Sequence, residues 1–331
     1  MNSRQRGVAL LVVMLILALM VTVAYSITER TGMAWQRTES QLNRMQAKWY
    51  ARGAEALVES ILLQDALASP KQTALGQSWS RVMHQTLSDG GEIRSQVQDG
   101  LTCLNLNALN QHDNKNGNTE KTSDTLMSAP YAAKVLRQLI IGLGEDATRA
   151  DNVADAIRDW IDEDSQPRAK GAEDESYPAY HPANQNMVDV SELRVVSGMD
   201  TALYRRLLPY VCVLPVKTMM INVNTLRVEQ APLMSALFMG ELNTEDAQAV
   251  LSQRPAKGWG SVNEFIRLQQ LPDGSKAGAQ KVLAIKSEWF FADVQVLVGD
   301  NDFYQRSLFH IDGKKIDVIQ RQYGGYRTVN P

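Results

Sequence analysis

Twenty consecutive residues without a charge, Val8 to Ile27 (VALLVVMLILALMVTVAYSI), leave this chain few choices. Arg4 and Arg6 precede them and Glu29 and Arg30 follow. At about 1.5 Å of rise per residue, such a helix spans the roughly 30 Å hydrocarbon core of a bilayer. A soluble core helix has no need to be apolar all round over that length, so the stretch reads as a membrane span. The seven residues before it carry two arginines and no acid. The positive-inside tendency therefore puts Met1 in the cytoplasm and everything after Ile27 outside.

A cleaved secretory signal would show a shorter apolar region with a small-x-small site behind it, and Val23-Ala24-Tyr25-Ser26 is a poor one. No proline follows until Pro70, and only Gly32 and Gly53 interrupt helix-forming residues. Met33, Ala34, Leu42, Met45, Trp49, Ala54, Leu57, Ile61 and Leu62 fit a helix with one buried stripe. The expectation is a single long helix, its first half in lipid and its second half against a domain outside.

A short basic leader ending in Gly7, followed by an apolar helix starting at Val8, resembles the type IV prepilin signature. That resemblance implies cleavage after Gly7 by a prepilin peptidase and methylation of Val8. The usual pattern has glutamate at the fifth mature position, where Val12 stands here. A carboxylate in a membrane is costly unless paired with a charge. A subunit without it resembles the filament-tip type, minor pseudopilin K of type II secretion. An ordinary single-pass anchor is the competing reading of this stretch.

The 331 residues leave roughly 260 after the helix, enough for one large or two small domains with real cores. A net charge of −3 offers no basic field for a nucleic acid. Cys103 and Cys212, the two cysteines, both lie on the outward side. In an oxidising compartment they are a candidate disulfide, with two free buried thiols as the alternative.

Past Pro70, Ser78 to Leu87 reads as a helix and Glu92 to Gln98 as a weakly alternating strand ending at the Asp99-Gly100 turn. In Leu101 to Leu109, apolar Leu104, Leu106 and Ala108 alternate with Asn105 and Asn107. His112 to Ser128 reads as an exposed polar loop.

An internal repeat then organises the chain. Asn105-Leu106-Asn107-Ala108-Leu109 recurs as Asn222-Val223-Asn224-Thr225-Leu226. Helical periodicity follows each copy, at Ala132 to Leu143 and at Ala231 to Leu251. Asp189-Val190-Ser191-Glu192-Leu193 then matches Ser261-Val262-Asn263-Glu264-Phe265, both with the spacing of a capping box. Second helices are expected at Thr201 to Leu208 and Ala277 to Ile285, and closing β segments at Tyr210 to Val216 and Trp289 to Val298. These make two related strand–helices–strand units, the first lengthened by an insertion.

The insertion is acidic. Between 159 and 175 seven acids face only Arg168 and Lys170. Asp159 and Asp162 share a face at a helix C-terminus, where the macrodipole is also negative. A hard cation would relieve both penalties, and calcium accepts several oxygens in irregular geometry. The spacing is not that of an EF-hand, and no histidine or thiol is present for zinc. A solvated acidic loop is the plainer reading.

In pseudopilin K a D-W-x-D-x-D run, a gap, G-A-E, then spaced tyrosines and an asparagine form a hallmark. It stands here as Asp159-Trp160-Ile161-Asp162-Glu163-Asp164, Gly171-Ala172-Glu173, Tyr177, Tyr180 and Asn184. The likeness extends over essentially the whole chain. It implies an α+β, pilin-like fold in which a long transmembrane helix packs on a small antiparallel sheet, with a large inserted α-helical domain of two repeats and bound structural Ca2+. The candidate ligands are Asp159, Asp162, Asp164, Glu173 and Asp174, with Asn184 and backbone carbonyls in support. The implied layout is a leader at 1–7, a span at 8–27, pilin-like helix and first strands at 28–104, an inserted domain at 105–287 with its acidic loop at 159–184, and a C-terminal sheet at 288–331.

Leu193 to Asp200 also resembles a helix-hairpin-helix, a module that grips DNA phosphates. Asp200 stands where a second glycine is normal and would repel a phosphate, so a packing or protein-contact role is expected. Phe290 to Val298, Phe303 to Ile311 and Lys315 to Tyr323, separated by turn signals, predict a three-stranded meander. His84, His112, His181 and His310 sit in unrelated contexts, and no nucleotide-binding glycine loop is present.

The reading is thus a non-enzyme, a minor pseudopilin capping the tip of a periplasmic pseudopilus, where it initiates assembly and limits elongation. Implied partners are the other minor pseudopilins of a tip complex, the major pseudopilin, the inner-membrane secretion platform and the prepilin peptidase. No nucleic acid or small-molecule substrate is expected. The location is the inner membrane of a Gram-negative bacterium, in a single pass, with the C-terminal domain periplasmic. The competing class is a single-pass protein with a calcium-stabilised periplasmic binding domain and no filament role.

Overall fold

A computed structural model describes residues 3–88, 91–110, 130–299 and 301–324. In chain order it contains α1 (Ser3–Ala68), β1 (Met83–Thr86), β2 (Glu92–Asp99), β3 (Leu104–Asn105), α2 (Tyr131–Gly142), α3 (Ala147–Ile161), α4 (Thr201–Leu207) and β4 (Val211–Cys212). Then come β5 (Ile221–Asn222), α5 (Ala231–Leu237), α6 (Thr244–Ser252), α7 (Val262–Ile266), α8 (Asp273–Gln280), β6 (Leu283–Ala284), β7 (Trp289–Val298), β8 (Asn301–Asp312) and β9 (Lys315–Tyr323). The polar stretch from His112 to Ser128 lies outside the described residues.

The 66 residues of α1 make one helix about 100 Å long. Val8 to Ile27 is long and apolar enough to cross a membrane, and its large apolar side chains are exposed. Contact with the head is made by the C-terminal half, through Ala47, Ala51, Ala54, Val58 and Leu62. This seam differs from the expected stripe, because Leu42, Met45, Trp49 and Leu57 are exposed on the other side. Small side chains let the helix approach the sheet closely, so alanines mark the buried face here. Within the seam Glu55 is buried and clasped by the Arg321 guanidinium (2.8 and 3.0 Å), the Ser307 hydroxyl (2.6 Å) and the Gln305 amide (2.7 Å). Burial alone would raise its pKa, but these partners outweigh it and hold the carboxyl below its usual value.

The antiparallel sheet runs β1-β2-β7-β8-β9. The C-terminal meander is therefore three strands of five. Met83 to Thr86, read as part of a helix from sequence, pairs as an edge strand with Glu92 to Ser95. The helical part there is the single turn Ser78–Ser80. Phe290, Ala292, Val294 and Val296 alternate toward α1, which leaves Asp293 and Gln295 on the outer face.

The inserted domain has its own continuous core, from Leu104 to Leu283. Its two repeats close in the same way: β3 pairs in parallel with β4, and β5 with β6. The asparagines explain the repeated motif. Asn105 Oδ1 accepts from the backbone of Asn107, as Asn222 Oδ1 does from Asn224. Asn107 exchanges hydrogen bonds with the backbone of Met187 (2.8 and 3.0 Å), and Asn224 with that of Trp259 (2.7 and 3.0 Å). Each clamped residue stands two before a helical N-cap, Asp189 or Ser261.

Three sequence expectations change here. The second repeat closes with Leu283–Ala284, and Trp289–Val298 belongs to the large sheet. Its last helix is Asp273–Gln280 rather than Ala277 to Ile285, and it ends early because Leu283 and Ala284 are taken by the pairing with β5. Ala231 to Leu251 is two helices, broken where Met239 and Gly240 adopt positive φ. Cys103 and Cys212 form a disulfide with Cα atoms 5.6 Å apart, stapling the β3–β4 closure.

Candidate metal centre

α3 delivers Asp159 and Asp162 to the start of the insertion. Asp146 caps the helix by accepting from the amides of Thr148 (2.9 Å) and Arg149 (3.0 Å). Val153, Ile157 and Ile161 bury its apolar face. At its far end Asp159 is fully buried, with its carboxylate answered by the Arg168 guanidinium and by the amides of Arg168 (3.1 Å) and Ala172 (2.9 Å). This close approach demands glycine at 171, where a Cβ would stand 1.7 Å from Asp159 Oδ2. Arg168 also contacts Asp162 and so balances the carboxylates that the helix dipole leaves unrelieved.

The insertion is moored by its aromatics. Trp160, Tyr177 and Tyr180 pack with centroid separations of 5.3–6.3 Å. The Tyr177 hydroxyl accepts from the Ser197 amide (3.0 Å), and Tyr180 donates to the Val195 carbonyl (2.8 Å). Trp160 Nε1 donates to Glu192 (3.2 Å), whose other oxygen accepts from the amides of Val188 and Asp189 in the capping box. The spaced tyrosines are therefore structural ties between the insertion and the following turn.

What the insertion leaves unanswered is acceptor oxygen. Among the described residues six buried side-chain oxygens lack a hydrogen-bond partner, and five belong to this segment: Asp162 Oδ1, both carboxylate oxygens of Glu173, Asn184 Oδ1 and Asn186 Oδ1. A buried acceptor without a donor costs about 1–3 kcal/mol, and more when charged. Glu173 shows the strain electrostatically. Burial first, then Asp159, Asp162, Asp174 and Asp164, push its carboxyl up to about 7. Asn184 is also one of two described non-glycine residues with positive φ (45°).

Of the six residues singled out by sequence, Asp162, Glu173 and Asn184 carry these oxygens. Asp159 is the internal brace. Asp164 and Asp174 are exposed, the first accepting from the Gln166 amide (2.9 Å) and the second beside His181 Nδ1 (2.9 Å). Asn186 was missed, because it is uncharged and its oxygen is buried only by the fold. Among the described residues no three acidic, histidine or cysteine side chains form a ready ligand group. The unpartnered set is mixed, two carboxylates with two amide oxygens, a donor chemistry that fits a hard cation such as calcium.

The helix-hairpin-helix resemblance resolves locally. Gly198 takes the tight turn (φ 79°), and Asp200 caps α4 by accepting from the Leu203 amide (2.8 Å) and pairing with Arg149. That helix start is filled by the chain's own carboxylate.

Comparison with known proteins covers the whole chain. Residues 102–216 and 221–286 match two family profiles, both described as type II secretion system (T2SS), protein K. Proteins named type II secretion system protein K are 56% identical in Dickeya chrysanthemi and 55% identical in Pectobacterium carotovorum subsp. carotovorum, each over 100% of both chains. Among solved structures, the crystal structure of the GspK-GspI-GspJ complex from the enterotoxigenic Escherichia coli type 2 secretion system contains a chain that superposes with a TM-score of 0.76. It is 35% identical and covers 88% of this chain and 100% of its own.

Proposed function

The chain belongs to the type II secretion system protein K family, and we propose that it caps the tip of the periplasmic pseudopilus, where it starts assembly and limits elongation. The observation that carries this is α1. An uncharged, fully exposed apolar segment with Val12 in place of the usual acid runs unbroken into the helix that bears the head. A subunit lacking that carboxylate has nothing to offer the N-terminal amine of a subunit placed above it, as a terminal position requires. The bulk of the inserted domain supports the same position.

Partners of the kind of GspI and GspJ follow from the solved complex. The outer side of α1 supports side-by-side helix packing: Trp35, Leu42, Met45 and Trp49 follow heptad-like spacing opposite the alanine seam, and both tryptophans are more than 70% exposed. The major pseudopilin, the inner-membrane platform and a prepilin peptidase cutting between Gly7 and Val8 complete the proposed set. The chain acts as a structural component, with the N-terminus cytoplasmic, α1 in the inner membrane and the head in the periplasm.

Calcium is the proposed ion for the insertion. Asp162, Glu173, Asn184 and Asn186 would hold it, with Asp159, Asp164 and Asp174 adding negative field. Its chemistry is neutralisation and cross-linking, joining the insertion to the end of α3.

The N-terminal residue of protein recovered from membranes tests the filament role. A methylated start at Val8 is expected. An intact Met1 in cells with active prepilin peptidase would leave a plain anchored protein and remove the role.

A further inference from the structure

The insertion carries its own cation beside the oxygens proposed for calcium. Arg168 folds back on the end of α3: its amide donates to Asp159 Oδ2 (3.1 Å), and its guanidinium meets both Asp159 and Asp162. The neighbouring cations are engaged elsewhere. Lys170 (2.8 Å) and Arg137 pair with Asp151, and Arg158 pairs with Asp155 (3.5 Å). Among the described residues, Arg168 is therefore the cation that touches one of the four proposed ligands.

The Asp162 carboxylate is divided between two uses. Its Oδ2 meets Arg168, while Oδ1 is one of the buried oxygens without a partner. Asp159 and Asp162 are 0% and 5% exposed and the Arg168 side chain is 21% exposed, so solvent screens little between them. The guanidinium reaches none of the unpartnered oxygens of Glu173, Asn184 or Asn186. One positive charge thus answers the two carboxylates at the end of α3 and leaves the other oxygens open.

A guanidinium and a divalent cation on one carboxylate repel each other, and the repulsion is strong where screening is weak. Without the ion, Arg168 offsets two buried charges, and the Asp162 side chain has no other hydrogen-bond partner among the described residues. With the ion, the same guanidinium opposes a second cation. A group that favours the calcium-free state over the loaded one lowers the affinity for calcium by the same factor.

We propose that Arg168 is a resident counter-ion, which holds the insertion folded without calcium and limits how tightly calcium binds. This inference rests on the calcium reading of the insertion. The loop then folds before it is loaded, and its tie to α3 responds to the surrounding calcium concentration.

The test is calorimetric titration of calcium into the full chain in detergent, with melting temperatures in calcium and in chelator, for the wild type, Arg168→Gln and Arg168→Lys. Glutamine keeps an amide donor beside the carboxylates and removes the charge, whereas lysine keeps the charge. Arg168→Gln should melt lower in chelator, bind calcium at least about tenfold more tightly than the wild type, and recover most of its lost melting temperature in calcium. Arg168→Lys should bind more weakly than Arg168→Gln. If Arg168→Gln is unfolded in chelator, its melting temperature in calcium decides: recovery supports the proposal, and a persistent loss contradicts it. A purely structural arginine would lower both melting temperatures equally and leave the affinity unchanged. That result, or weaker binding by a folded Arg168→Gln variant, would overturn the proposal while the calcium reading stood. A wild type that binds no calcium would end both.

Discussion

The two repeats of the inserted domain hold their chains with the same pair of asparagines, yet they enclose very different loops. In the second repeat the chain passes from α6 to Trp259 in a few residues, and Arg254 turns inward to donate to the carbonyls of Val223 (3.2 Å) and Leu226. In the first, the same crossing is expanded into the acidic insertion before Met187 is clamped. The orphaned oxygens of the inserted domain fall in that expansion, and none among the described residues falls in the second repeat. The comparison separates frame from function. Asn107 and Asn224 fix the ends of the loop whatever its length, so the loop can carry polar chemistry without disturbing the helices around it.

The disulfide is the second difference between the repeats, and removing it should have the largest effect. Cys103 and Cys212 are 109 residues apart, and a cross-link over such a loop contributes about 4 kcal/mol through the unfolded state. The Cys103→Ser/Cys212→Ser variant should lose stability of that order in urea unfolding. A loss below about 1 kcal/mol would mean that β3 and β4 close unaided, as β5 and β6 do.

Next come the clamps. Asn107→Ala strands the amide and carbonyl of Met187 and the carbonyl of Leu214 in the core, at a cost of about 3 kcal/mol. Asn224→Ala should cost slightly less, since it strands the two backbone groups of Trp259. Thermal unfolding with and without calcium separates them. The first variant should lose its response to the ion, and the second should keep it. Equal retention in both would show that the clamp does not position the insertion.

The smallest effect concerns how the second repeat meets the sheet. Asn222 donates to Asp99 (3.2 Å), which also accepts from Thr225 (2.6 Å), Ser287 and the Leu101 amide (2.8 Å), whereas Asn105 reaches the carbonyls of Val216 (2.6 Å) and Thr218 (3.2 Å). Burial raises the Asp99 carboxyl above its ordinary value despite those donors. The folded state therefore binds this proton more tightly than the unfolded chain. The group's penalty is present above its folded pKa and disappears as pH falls toward the unfolded value. Asp99→Asn should remove that contribution to the pH profile and change stability near neutral pH by about 1 kcal/mol. An unaltered profile would mean that Asp99 is not the titrating group.

Much of this was legible in the sequence, for identifiable reasons. The membrane segment, the meander and the repeated Asn-x-Asn motif rest on strong periodicity or on self-similarity. The buried face of α1 was misread because a helix packed closely on a sheet buries alanines, while Leu42 and Trp49 are exposed. Two-residue strands such as Leu283–Ala284 have no periodicity to read, and their pairing comes from the tertiary fold. At the candidate centre, charge drew attention to Asp159, Asp164 and Asp174, whose partners are local. Asn186 carries no charge, and only the fold reveals its buried oxygen.

Calorimetric titration of calcium into the full chain, beside Glu173→Gln and Asp162→Asn, tests the central claim that the first repeat was expanded to hold a cation. The wild type should bind saturably and gain about 2.7 kcal/mol of stability at a hundred times its Kd. Each substitution should weaken binding by at least about tenfold while the protein stays folded. A wild type that takes up no calcium, or a Glu173→Gln variant that binds as the wild type does, would contradict it.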